Sequence, residues 1–131
     1  MKLGALLMPS HPPERVIHDG QRWDLEELQR LDALGFEEAW IGEHFTSMWQ
    51  PCPAPDLLIA QALSGTKQIR LGPLGHLLPF HHPIELAHRV AYLDHLAQWS
   101  LPARSRDQRF AHGSPTVWSG YIRGEKPKGD L

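Results

Sequence analysis

Glu43, His44 and Phe45 arrive together, directly after the apolar run Ala39, Trp40, Ile41 and its bounding Gly42. A short apolar run that breaks abruptly into polar residues is how a buried parallel strand ends in a loop. In α/β folds the carboxyl ends of the strands are where ligands bind, and loops there carry chemistry. An imidazole changes charge near neutral pH, so His44 is suited to taking up and returning a proton. Spacing alone reads equally well as an exposed loop histidine.

The other candidates divide by chemistry. His76, His81, His82, His88 and His95 lie close in sequence, with His11 and His18 upstream. They invite a metal reading, yet no HExxH pair and no companion carboxylate cluster accompanies them. His88 and His95 are two helical turns apart, too far to share one ion. The expectation is solvated or capping histidines and no metal. Phe45 and Trp49, in the loop, are candidates to line an apolar substrate pocket; Trp40, inside the strand, reads as core packing. Gly75 interrupts an apolar segment, which marks either a bulge or a place where the backbone approaches a ligand closely. No GxGxxG and no GxxxxGK occurs, so dinucleotide and ATP sites of those types have no support.

These residues need a scaffold, and the chain supplies one in alternation. Lys2 to Met8 reads as a first strand, followed by a proline-marked loop to Gly20. A helix is expected from about Asp24, with Asp24 as its cap and Glu26 and Glu27 at the positive end of its dipole. Leu25, Leu28, Leu31 and Leu34 give it an apolar stripe, and Gly35 stops it. The second strand leads into Glu43. Pro55 fits the first position of a second helix running to about Leu63. The third strand lies within Ile69 to Leu78. A third helix runs from Pro83 to about Ala97, with Leu86, Val90, Leu93 and Ala97 on one face and Glu85, His88 and Arg89 outward. Three repeats of roughly thirty residues have the size of βαβ units. They predict an α/β fold with a parallel sheet and right-handed crossovers.

The totals bound the function. With 131 residues the chain is one domain at most, or a piece of one. A net charge of −2 gives no basic surface for nucleic acid and no basic amphipathic face for a membrane. The N-terminal apolar stretch is too short for a signal peptide, and no run reaches membrane-spanning length. The single cysteine, Cys52, lies between Pro51 and Pro53 and has no internal partner, which fits a reducing, cytoplasmic setting. Residues 1–98 carry the periodic pattern. Residues 99–131 show neither a helical stripe nor sustained alternation, and Pro102, Pro115 and Pro127 interrupt every candidate element; this tail reads as irregular or disordered.

The chain to about Ala97 resembles the luciferase-like flavin-dependent monooxygenases, and among them the limonene monooxygenase-like members. The resemblance rests on four segments in order: KLGALLMP, LDALGFEEAWIGEHF, PAPDLLIAQAL and IRLGPLGHLLPFHHPIELAHRVAYLDHLA. It implies a (β/α)8 TIM barrel, of which this chain carries the first three βα units and is incomplete. It implies reduced FMN delivered by a separate flavin reductase, molecular oxygen, and a small organic substrate, terpene-like or an aldehyde. His44 matches the family's active-site histidine, expected beside the flavin ring and assisting proton transfer there. The family's cis non-prolyl peptide against the flavin maps to Leu74-Gly75, with Pro73 a departure from the pattern; these two residues are the expected cofactor contacts.

The family activity is accordingly expected of the longer parent, and this chain alone is expected to be inactive. The alternative is a small non-catalytic α/β module that binds a partner. For the tail, the family segment after LDHLA is a small-residue turn, then Gly-Arg and a buried strand. Read one nucleotide forward, Gln98-Trp99 gives only Asn or Ser, while Trp99-Ser100 and Trp118-Ser119 force Gly. The intervening codons permit Ser-Gly-Arg-x-Leu-Leu-Gly. A frame-shifted translation and a genuine divergent tail are the two readings, separated by the coding DNA beyond Gln98.

Overall fold

Three short apolar runs, punctuated by glycine and proline, form the strands β1 (Gly4–Leu7), β2 (Glu38–Ile41) and β3 (Arg70–Pro73). A computed structural model describes residues 3–99, with the side chains of 98 and 99 left aside. The strands are parallel and lie in the order β1-β2-β3. Between and after them run the helices α1 (Ile17–Ala33), α2 (Pro55–Ala62) and α3 (Pro83–Trp99). The alternation expected from the sequence is therefore present. Of the segment expected to be an irregular tail, Trp99 is the last residue of α3, and the rest lies outside the described residues.

Register decides which side chains meet the helices. Ala5, Ala39 and Leu71 are cross-strand partners, and Leu7 pairs with Ile41. Side chains alternate across a strand, so this set points to one face. There Ala39, Ile41 and Leu71 are fully buried, packed with Leu28 of α1, Leu58, Ile59 and Ala62 of α2, and Leu93 and Ala97 of α3. Each large aliphatic side chain so buried contributes about 1.5–3 kcal/mol. The opposite face carries the row Leu6, Trp40, Gly72 and the row Gly4, Glu38, Arg70. Leu6 is 59% exposed there, and Arg70 Nη2 meets Glu38 Oε2 at 3.1 Å. Trp40 is half-buried on this face, which no described helix covers, so it is not part of the core under the helices.

Helix α1 begins seven residues before the expected cap. Its N-cap is Val16, whose side chain caps nothing, and Asp24 is interior. The reason is tertiary: Asp24 Oδ2 accepts a hydrogen bond from, or pairs with, His11 Nε2 at 3.0 Å, and both residues are buried. The added stretch holds Gly20, where a Cβ would stand 2.7 Å from His11 Cδ2, so the imidazole fits only over a glycine. At the other end Gly35 adopts φ +82°, and Phe36 donates its N–H to the Leu31 carbonyl at 3.1 Å. A glycine in the left-handed region closes a helix without a Cβ penalty.

Two carboxylates join the units. Asp32, at the end of α1, accepts the backbone N–H groups of Lys67 (2.8 Å), Gln68 (2.9 Å) and Ile69 (2.7 Å), fixing the approach to β3. Asp56, in the first turn of α2, is gripped in bidentate fashion by Arg89 of α3, with Nε at 2.9 Å and Nη2 at 2.6 Å. Arg89 therefore points to α2 and not outward as its helical position implied.

Candidate functional site

His44 follows β2 by three residues and Gly75 follows β3 by two. Because the strands are parallel and adjacent, both fall on the carboxyl-end rim of the sheet. The first loop is held by its backbone: His44 N–H donates to the Cys52 carbonyl at 2.9 Å. A Cβ on Gly42 would stand 2.5 Å from Met8 Sδ and 3.4 Å from His44 Nε2, so the imidazole and Met8 both lie over that glycine. Thr46 adopts φ +54°, the one non-glycine residue with positive φ among those described. Such a backbone costs energy and persists where the surroundings impose it, often at functional loops.

The second loop departs from expectation in one respect. No cis peptide bond occurs among the described residues, so Leu74-Gly75 is trans. The chain turns there instead through Gly75 at φ +73°. A left-handed glycine makes this bend at little cost, whereas a cis non-prolyl bond costs roughly 2.5–4 kcal/mol. Leu74 N–H donates to the Ile41 carbonyl at 2.7 Å, extending the β2–β3 pairing one step, and the Leu74 side chain is half exposed. None of the described residues lies within 4 Å of a Cβ built on Gly75, so its backbone faces open space on the rim.

Between these loops sits a residue to which sequence reasoning gave no role of its own. Glu43 has a fully buried side chain. Its Oε2 accepts the Leu77 N–H at 2.5 Å, and its Oε1 lies 2.8 Å from His81 Nε2 and 3.4 Å from His76 Nδ1. Burial pushes its carboxyl upward. The Leu77 N–H, His81 and His76 outweigh that and hold it below its ordinary value of 4.5. The companion carboxylate that the histidines seemed to lack is thus Glu43, reached across 33 to 38 residues of sequence. No local pattern signals it; the only trace was a charged residue at the end of an apolar strand. His82 is exposed and outside this group.

Aromatic residues flank the rim. Phe45 packs against Phe80 with ring centroids 5.1 Å apart and meets the edge of His81 at 6.0 Å. Trp49, the expected pocket residue, is largely exposed, and its carbonyl accepts the His11 N–H at 2.8 Å. A cavity of about 190 Å³ lies elsewhere, between the loops after β1 and β2 and helices α1 and α2; its walls include His11, Asp24 and Cys52 but neither His44 nor Gly75. There burial, with the Asp24 carboxylate nearby, pushes the Cys52 thiol up to about 11, which leaves it unreactive at neutral pH.

Residues 1–98 match the luciferase-like monooxygenase family. The chain is 42% identical over 96 residues to 4-hydroxyprotoasukamycin monooxygenase of Streptomyces nodosus subsp. asukaensis, covering 73% of this chain and 26% of that protein. It is 38% identical over 95 residues to limonene 1,2-monooxygenase of Rhodococcus erythropolis, covering 72% and 24%. Among solved structures it resembles the oxygenating constituent of 3,6-diketocamphane monooxygenase from Pseudomonas putida, a type II Baeyer-Villiger monooxygenase in complex with FMN. That match has a TM-score of 0.71 and 29% identity, covering 95% of this chain and 33% of that one. The chain spans about a quarter of the length of the named relatives it matches.

Proposed function

Because the chain belongs to the luciferase-like monooxygenase family, we propose that it is the flavin-facing part of an FMN-dependent monooxygenase. The reaction is oxygenation of a small organic molecule, a terpene-like substrate or an aldehyde, by molecular oxygen. Reduced FMN comes from a separate flavin reductase, and the setting is the cytoplasm. One observation carries the reading: parallel β2 and β3 deliver His44 and Gly75 to the same rim.

The residues present suit a planar ring. Gly75 offers bare backbone with open space beside it, and Leu74 adds an exposed apolar side chain. These two residues would hold the flavin, with the imidazole of His44 alongside. Bound reduced flavin supplies the oxygen-activating chemistry, which no side chain can provide. His44 holds or moves a proton at a ring nitrogen, the role for which an imidazole pKa near operating pH is suited. Phe45 and Phe80 present an apolar, aromatic edge on that side of the rim.

The test uses a chimera in which residues 1–98 replace the matching stretch of a full-length relative. The chimera is expected to oxygenate the relative's substrate with reduced FMN, and His44→Ala to lower kcat by about 10²–10⁴-fold while FMN still binds. A folded, FMN-binding chimera whose activity is indifferent to His44→Ala would sink the assignment. A folded chimera that binds no FMN would favour the partner-binding module instead.

A further inference from the structure

We propose that Glu43, His76 and His81 form a binding site for a divalent transition-metal ion, with zinc the best match. The site stands apart from the flavin reading, and neither depends on the other.

The donors are one carboxylate oxygen and two imidazole nitrogens, all within 4.8 Å of one another. On a tetrahedral ion with bonds of about 2.0–2.1 Å, two donors stand about 3.3 Å apart. The separations of Glu43 Oε1 from His81 Nε2, 2.8 Å, and from His76 Nδ1, 3.4 Å, straddle that value. The third pair, the two imidazole nitrogens, lies within 4.8 Å and would close on an ion by side-chain adjustment. A donor set with two imidazoles suits zinc better than calcium or magnesium, which take oxygen ligands.

Burial supplies a second observation. The His76 side chain is 8% exposed and His81 9%. Among the described residues His76 Nε2 is buried with no hydrogen-bond partner, and its Nδ1 makes the long contact to Glu43. Coordination through Nδ1 would replace that long contact with a direct bond. Glu43 is a fully buried carboxylate, and a dication would balance its charge directly. Its other oxygen is already oriented by the Leu77 N–H, as ligating carboxylates commonly are by outer contacts.

The ligands come from two elements. Glu43 lies two residues after β2, while His76 and His81 bracket the short 3₁₀ turn Leu78–Phe80 that follows β3. A bound ion would tie this segment to the end of β2, next to Gly75. Its role is that of a clamp on the rim.

The 131-residue chain is titrated with Co²⁺, followed by displacement with Zn²⁺, while circular dichroism monitors folding. The expected result is saturable uptake of one ion per chain, a visible d–d spectrum of low-coordinate cobalt, and its bleaching by zinc. Glu43→Gln and His81→Gln are each expected to weaken zinc binding by at least about 100-fold, and His82→Gln to leave it unchanged. If either ligand variant loses its helical signal, His76→Gln takes its place. The site is refuted by absence of saturable uptake, by uptake of equal affinity in the ligand variants, or by loss of uptake in His82→Gln. A chain that is unfolded as purified and remains so with zinc also refutes it. In that outcome the three residues are a hydrogen-bonded network alone.

Discussion

Asp24 is a carboxyl buried inside a helix, answered by His11 at 3.0 Å. Burial raises its pKa above the ordinary 3.8, and the bond and charge of His11 offset this only in part. A carboxyl raised by folding gives the folded state more bound protons than the unfolded state. Stability attached to this group is therefore greatest below 3.8 and falls as pH rises through the raised value. Asp24→Asn keeps a polar partner for His11 and removes the titration. Urea midpoints across that window should show the wild type losing ground to the variant as pH increases; parallel profiles would contradict it. The same residue shows how a local cue misleads. An aspartate ahead of an apolar stripe is a common helix cap, and only the fold reveals it as a tertiary partner. The rim position of His44 was legible because its surroundings are local: an apolar strand, then a polar break. The role of Glu43 was not, since His76 and His81 come to it only after β2 and β3 pair.

At the scale of elements, the junctions are fixed by carboxylates. Asp32 satisfies three successive backbone N–H groups ahead of β3. Asp32→Ala leaves those donors without their acceptor and is expected to cost about 3 kcal/mol, given about 1–3 kcal/mol for each buried unsatisfied group and partial rescue by water. Asp32→Asn retains one acceptor oxygen and should cost about half as much. Urea denaturation of the two variants checks the order. The strand–helix alternation was readable because its punctuation is chemical and local: Gly35 must take positive φ, and Pro55 starts α2. Arg89 was misread because helical phase says where a side chain begins, while its length lets it reach Asp56 on the neighbouring helix. The cis bond expected at Leu74-Gly75 came from resemblance, and a left-handed glycine performs the turn in its place.

At the scale of the whole molecule, the described sheet is covered by helices on one face only. Parallel sheets ordinarily have both faces covered, or close into barrels whose inner face is filled by side chains. The row Leu6, Trp40, Gly72 is the side of this sheet that a closed barrel would turn inward. The match to a family of barrel enzymes over residues 1–98, at about a quarter of the relatives' length, agrees with that arrangement. The Glu38–Arg70 pair lies on the same face, beside the apolar row, where its two charges balance each other.

The strand order β1-β2-β3 leaves β2 as the only described strand with neighbours on both sides. That asymmetry sets a clock. In deuterated water, the amides of Glu38 to Ile41 can exchange only when pairing with a flanking strand is lost, whereas β1 and β3 each have amides turned away from β2. Mass-resolved exchange on the chain should therefore show the segment around Ala39 and Ile41 retaining protons longest. Uniform rates across the three strands would mean that the sheet opens as one unit.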